Sequence, residues 1–200
     1  MFVKKFAAII ITGIASLALP AYSQTDEFGK NEVSVQALGS FVKSTIDNGV
    51  QNSATNSGGV LANYRYFFSA HHGVEGTYGY ALNTQNFVSS NSALGVRSNS
   101  HEVSGAYVFR MPFRRFTPFA LAGAGALVFD PKDIVGADTQ TRASFIYGGG
   151  ADFNLTHHVF MRAQYRGFVY NSPTFKLTSL DGTDRFTHRA EPSVGFGFRF

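Results

Sequence analysis

The sequence predicts an all-β chain, an eight-stranded antiparallel up-and-down β-barrel, and three observations lead there. Apolar and polar residues alternate with a period of two through eight separate stretches, as side chains on successive faces of a strand do. The connections between those stretches run long, short, long, short, long, short, long. The last stretch, Glu191 to Phe200, puts Pro192, Val194, Phe196, Phe198 and Phe200 on one phase and Glu191, Ser193, Gly195, Gly197 and Arg199 on the other, and it closes the sequence on an aromatic residue.

Ahead of the strands, Lys4 and Lys5 precede an apolar run from Phe6 to Leu19, and Ala21 and Ser23 supply small residues after it. A positive region, an apolar region and a small-x-small site together predict a cleaved signal peptide, with the cut between Ser23 and Gln24. The expected division is a signal peptide over 1–23 and a barrel domain over 24–200. The apolar run is shorter than the ~20 residues a spanning helix needs, and no other stretch of that kind exists in the sequence. Losing Lys4 and Lys5 takes the chain from 17 basic residues to 15 against 13 acidic ones, an excess too small to argue for nucleic acid. With no cysteine, an exported chain holds together without disulfides or thiolate metal sites.

The first strand sets Val33, Val35, Ala37, Gly39 and Phe41 against Glu32, Ser34, Gln36 and Ser40, with Leu38 alone breaking the polar phase. The Ser/Asn/Thr/Gly-rich stretch 43–58 reads as a long loop. Strand two carries Val60, Ala62, Tyr64 and Tyr66 opposite Asn63 and Arg65, and a short turn through His71 and His72 leads to strand three, with Val74, Gly76, Tyr78 and Tyr80 opposite Glu75, Thr77 and Gly79. After a second polar loop, 83–100, strand four opposes Val103, Gly105, Tyr107 and Phe109 to Glu102, Ser104 and Ala106, and Arg110 to Arg115 make a tight link. Strand five, Phe119 to Leu127, is almost all small and apolar, so its phase is not fixed by alternation.

A third loop covers 130–141, and strand six sets Phe145, Tyr147, Gly149, Ala151 and Phe153 against Ser144, Gly148, Gly150 and Asp152. Strand seven opposes Val159, Met161, Ala163 and Tyr165 to Arg162, Gln164 and Arg166, although Phe160 and Phe168 sit in the polar phase. The fourth long loop, 171–187, precedes the closing strand. Both ends of the barrel chain emerge on the short-turn side, which is the layout of a transmembrane barrel with an even strand number.

The charges decide which face is inside. Glu32, Glu75, Glu102, Asp152 and Glu191 share the polar phase with Arg65, Arg162, Arg166 and Arg199, among Gly, Ser and Ala. Eight strands leave an interior just wide enough to be filled by side chains. Buried charges survive there only when paired, so the mixture predicts an interior charge network. Tyr64, Tyr66, Tyr78, Tyr80, Tyr107, Phe109, Phe145 and Phe153 then belong to a lipid-facing aromatic surface.

The whole chain after residue 23 resembles the small outer-membrane β-barrel family, of the OmpA N-terminal domain and OmpX type and often labelled porin family. The resemblance rests on the closing strand, on Gly59 to Phe67 and on Gly73 to Tyr78. It implies a monomer in the outer membrane of a Gram-negative bacterium, in contact with outer-membrane lipid and lipopolysaccharide. It also implies that the barrel assembly machinery and periplasmic chaperones handle the chain during biogenesis, with Phe196, Phe198 and Phe200 as the assembly signal. The C-terminal peptidoglycan-binding domain of full-length OmpA has no counterpart in the sequence, so cell-wall tethering is not expected.

Little in the sequence points to bond-making chemistry. His71-His72 and His157-His158 fall in turns about four strands apart, too far around the rim for a shared metal. Asp130 and Asp133, or Asp181 and Asp184, lack the spacing and the Glu of an EF-hand loop. A lipid A deacylase needs a Ser, a His and an acid gathered on the outer surface, whereas Ser104 and Glu102 point inward and His101 stands at the loop end of its strand. No cofactor is expected. The expected role is non-enzymatic, structural or surface-interacting through the long loops; a small low-conductance pore comes second and a lipid-modifying enzyme third.

Overall fold

The computed structural model describes residues 29–43, 45–47, 50–54, 57–89, 92–132, 139–171 and 186–200. Ten strands occur among them: β1 (Asn31–Val42), β2 (Thr45–Asp47), β3 (Val50–Ala54), β4 (Ser57–Phe67), β5 (His72–Ser89), β6 (Ser92–Arg110), β7 (Phe116–Lys132), β8 (Gln140–Asn154), β9 (Val159–Asn171) and β10 (Phe186–Arg199). Eight long strands close a ring in the order β5-β4-β1-β10-β9-β8-β7-β6, with β6 returning to β5, and every pairing is antiparallel. No helix among the described residues is long and apolar enough to cross a membrane. The predicted signal peptide lies outside the described residues.

The seam joins the first and last strands, with Glu32 opposite Arg199 and Val35 opposite Phe196. Below that register Asn31 N donates to Phe200 O and Phe200 N to Asn31 O, each at 2.9 Å, while Tyr64 Oη donates to Asn31 Oδ1 at 2.6 Å. Closure matters because an open sheet would leave one row of backbone groups unpaired on each edge.

The predicted long loops are partly sheet. In the stretch 83–100, expected as a loop, residues 83–89 and 92–100 continue β5 and β6 in unbroken register from Ala81 opposite Ser100 to Ser89 opposite Ser92. Within the stretch expected as loop 43–58, β2 pairs with β3, and β3 adds to the upper part of β5, with Gln51 opposite Val88. The loop expected at 130–141 is also shortened at both ends, since β7 runs to Lys132 and β8 starts at Gln140. Residues 133–138 and 172–185 lie outside the described set. The physical reason for the difference is that backbone pairing needs no apolar face. Alternation, the signal by which strands are recognised, fades where neither face is dry, while the ladder continues.

The fifth predicted strand, now β7, places Thr117, Phe119, Leu121, Leu127 and Phe129 inside and Ala120, Ala122 and Ala124 outside. The interior therefore holds more than charges and small residues. Phe67, Phe119, Phe129, Phe160, Phe168 and Tyr170 are all buried within it. Interior glycines make room for these rings: a Cβ at Gly197 would lie 2.3 Å from the Phe160 ring, and one at Gly73 2.6 Å from the Phe67 ring.

On the outer wall Val35, Val60, Val103, Val194 and Phe196 are exposed, a continuous apolar surface that a water-soluble domain would not present. Tyr66, Tyr107, Phe109, Phe145 and Phe153 are exposed on the same wall, and Tyr64, Tyr78 and Tyr80 are half-exposed there. Several of these rings have histidine neighbours. Tyr78 Oη shares a hydrogen bond with His101 Nδ1 at 2.8 Å, Tyr147 Oη with His188 Nε2 at 2.8 Å, and Tyr107 Oη with His72 Nδ1. Phenol and imidazole thus satisfy each other on an otherwise apolar surface, where a lone polar group would be costly.

Candidate functional site

Strand alternation aims one side chain in two at the barrel axis, and β1, β4, β5, β6, β8, β9 and β10 all bring charge there. The buried charges form two clusters. The first lies toward the short turns and is centred on Glu32, the second residue of β1. Glu32 accepts from Arg110 Nη1 at 2.7 Å, from Arg162 Nη2 at 2.8 Å and from Arg199 Nε at 2.8 Å. Arg162 also grips Asp152 with two parallel bonds, Nε to Oδ1 at 2.6 Å and Nη2 to Oδ2 at 2.7 Å. This fork geometry is the strongest form an ion pair takes.

Beside them Arg65 Nε donates to Glu75 Oε2 at 2.6 Å, and Asn63 Nδ2 and Thr77 Oγ1 complete that carboxylate at 3.2 Å and 2.9 Å. Ser34 Oγ donates to Asn63 Oδ1, and Arg162 Nη1 donates to Ser34 Oγ at 3.3 Å, so the polar residues between the charges are also used. Aromatic faces cover the cations. Arg110 stands 3.5 Å over Phe67, Arg65 4.0 Å over Phe119, and Arg162 and Arg199 4.8 Å and 5.0 Å over Phe160. Ring stacking lets a guanidinium lose water on its faces while its edge keeps hydrogen bonds.

The second cluster lies nearer the long connections. Arg166 Nη2 pairs with Glu102 Oε1 at 2.7 Å and donates to Ser104 Oγ at 2.8 Å, and Ser104 Oγ donates to Glu102 Oε1 at 2.9 Å. Arg189 pairs with Glu191 and donates to Ser100 Oγ at 2.9 Å. Both guanidinium groups lean on Phe168, and Leu127, Phe129, Ile146 and Tyr170 pack with that ring into an apolar layer. Arg166 Nε and Nη1, Arg189 Nε and Glu102 Oε2 have no protein partner, so this half of the filling is the less completely bonded one.

The nine charged residues singled out from the sequence, Glu32, Arg65, Glu75, Glu102, Asp152, Arg162, Arg166, Glu191 and Arg199, are all buried and divide between the two clusters. Sequence reasoning missed Arg110 and Arg189. Both keep the phase of the inward residues, Arg110 following Glu102, Ser104 and Ala106 along β6 and Arg189 preceding Glu191 along β10. Continuing the alternation one or two steps past the apparent strand ends would have found them.

Other candidates are not brought together. His71 ends the turn leading into β5 and His72 opens that strand, and His158 stacks on Phe198 at 5.6 Å; no group of three metal-ligating side chains occurs among the described residues. Asp130 accepts a hydrogen bond from Thr139 at 3.2 Å, and Asp133, Asp181 and Asp184 fall outside the described residues. His101, expected at a loop end, stands well inside β6 and lies against Tyr78 and Tyr80 on the outer wall, while Ser104 and Glu102 bond each other in the lumen. His101 is therefore separated from Ser104 and Glu102 by the wall itself.

Residues 9–200 match the profile of the family described as outer membrane protein beta-barrel domain. No curated protein matches the chain. Among solved structures, the chain is similar to the outer membrane protein OprG of Pseudomonas aeruginosa, with a TM-score of 0.62 and 14% identity over 86% of this chain and 96% of that one. It is also similar to Ail, the attachment invasion locus protein of Yersinia pestis, crystallised with the heparin analogue sucrose octasulfate (TM-score 0.53, 24% identity, 86% and 99% covered). A third is Neisserial surface protein A (TM-score 0.58, 12% identity, 86% and 97% covered). At these identities the likeness carries the fold.

Proposed function

Because the chain belongs to the outer membrane protein β-barrel family, whose place is the Gram-negative outer membrane, we propose that it is a non-enzymatic barrel whose surface, rather than its lumen, is the working part. The observation that carries this reading is the filled interior. Four arginines and three carboxylates knit together across the lumen near the short turns, closed over by Phe67, Phe119 and Phe160. A barrel filled in this way is a rigid support. What it supports is the sheet that continues past the ring, where β5 and β6 run on to Ser89 and Ser92 and β2 and β3 broaden them. Function often rides on connections held by such a scaffold. That a protein named for attachment and invasion shares the fold is consistent with a surface-interaction role.

In this reading Tyr64, Tyr66, Tyr78, Tyr80, Tyr107, Phe109, Phe145 and Phe153 face lipid, with lipopolysaccharide around the long-connection end. The barrel is monomeric, and residues 1–23 are removed on export. Phe196, Phe198 and Phe200 serve as the signal that the assembly machinery reads after periplasmic chaperones deliver the chain. Deleting Phe200 is expected to lower the amount assembled in cells sharply while leaving refolding into detergent micelles nearly unchanged. An equal loss in both settings would make the residue structural rather than a signal.

The test of the scaffold reading is ion conductance of refolded protein in a planar bilayer, using material with heat-dependent mobility in gel electrophoresis. The expected result is a folded and silent barrel. Steady discrete openings would favour the second reading, a low-conductance pore. That reading draws on the incompletely bonded Arg166, Arg189 and Glu102 half of the lumen. The block would then lie at Glu32 and Arg162.

A further inference from the structure

Among the described residues, the short-turn rim exposes basic side chains and no acidic one. Of the acidic side chains described, Glu32, Glu75, Glu102, Asp152 and Glu191 are buried, and Asp130 stands at the far end of β7. The turns of the near rim expose Arg114 and Arg115 together with His71, His157 and His158, and no acidic side chain among the described residues answers them.

The link between β6 and β7 is also built to present its two arginines. Phe113 N donates to Phe116 O at 3.0 Å, closing a tight turn with Arg114 and Arg115 at its tip, and the two rings stack 5.2 Å apart. The neighbouring turn braces it, since Asn154 N donates to Arg115 O at 3.0 Å. Met111, Phe113 and Phe116 are 48%, 49% and 44% exposed. Phe116 pairs with Phe153, so these side chains continue the aromatic outer wall without a break.

Large apolar side chains just below the wall, with two guanidinium groups beyond them and no exposed acidic side chain at that rim among the described residues, match the boundary between acyl chains and charged headgroups. Rings sit at that boundary, and long cationic side chains reach from it to phosphate. Guanidinium binds a phosphate diester through two parallel bonds, which favours a lipid whose headgroup adds no positive charge of its own. We propose that the Met111–Phe116 turn is a docking site for anionic phospholipid, of the phosphatidylglycerol class, in the leaflet on the short-turn side. The inference rests on the reading that the outer wall faces lipid.

The experiment places refolded protein in phosphatidylcholine nanodiscs and compares, by electron spin resonance, the association of spin-labelled phosphatidylglycerol with that of spin-labelled phosphatidylcholine. The wild-type protein is expected to prefer the anionic lipid at low salt. Arg114→Gln with Arg115→Gln should lose that preference, by about fivefold for each charge removed near the lipid surface. Arg114→Lys with Arg115→Lys should keep most of it, and Lys43→Gln, at the opposite rim, should leave it unchanged. No preference in the wild type, an undiminished preference in the double Gln variant, or an equal loss in Lys43→Gln would overturn the proposal. A wild-type protein that forms no motionally restricted lipid population of either kind would count instead against the lipid-facing wall.

Discussion

Replacing Glu32 by Gln is expected to lower the unfolding free energy of the refolded barrel by about 3–5 kcal/mol, the range for breaking a buried ion pair by removing one partner. Urea unfolding in detergent micelles, followed by far-ultraviolet circular dichroism, measures it. Glu32 is almost fully buried and holds Arg110, Arg162 and Arg199 at once. Without its charge, Arg65, Arg110, Arg162 and Arg199 face only Glu75 and Asp152, and the new amide nitrogen turns a donor toward donors.

Arg162→Met should cost less, although Arg162 makes more bonds. Its loss leaves Arg65, Arg110 and Arg199 opposite Glu32, Glu75 and Asp152, equal in number. Arg65 Nη1 and Arg199 Nη2 already stand 4.0 Å and 3.9 Å from Asp152. Charge balance thus outranks bond count, and the double variant should lose less than the sum of the two because its members share one network. A Glu32→Gln protein within about 1 kcal/mol of wild type, the scale of a solvated pair, would mean that water screens this cluster and that the lumen is open.

The second large effect is a contrast between two glycines. Gly195→Ala is expected to destabilise the barrel by about 1–3 kcal/mol, as overfilling a packed interior does. A Cβ there would come within 2.1 Å of Val35 O and 2.5 Å of Gln36 Cα, and neither backbone atom can move without breaking the β1–β10 seam. Gly76→Ala should be neutral or slightly stabilising, because nothing lies within 4 Å of a Cβ at that position and glycine disfavours a strand interior by roughly 0.5–1 kcal/mol. The same urea experiment compares them. Equal effects at Gly195 and Gly76 would show that backbone entropy, and not the close approach of β1, sets the cost.

Alternation put these glycines on opposite phases, Gly195 with Glu191 and Arg199 and Gly76 with Val74 and Tyr78, but the close approach of Val35 O to Gly195 was invisible in the sequence. What alternation did reveal was the phase of most strands, because Glu32, Arg65, Asp152 and Arg162 could share a face with glycines and serines only inside a narrow barrel. The phase of β7 was hidden, since Phe119 to Leu127 offers no polar residue to mark a side. The lengths of β5 and β6 were hidden for the opposite reason: residues 83–89 and 92–100 are polar enough to read as loop, yet they stay in the β5–β6 ladder. Arg110 and Arg189 were missed through their position at strand ends. The aromatic lining was only half legible, with Phe160 and Phe168 visibly out of step, and nothing in the sequence announced that Phe67 and Phe119 would cover Arg110 and Arg65.

The partners of Glu32 come from far along the chain, 78 residues away at Arg110, 130 at Arg162 and 167 at Arg199. Contacts of such long separation form late, after the entropy of closing the intervening chain has been lost. A sheet still lacking β9 and β10 holds Glu32 with only one of those three cations available, and a carboxylate in that condition resists leaving water. Neutralising the lumen and joining the last strand to the first are therefore one event. Until it happens, an unclosed sheet carries its own reason to stay out of the hydrocarbon.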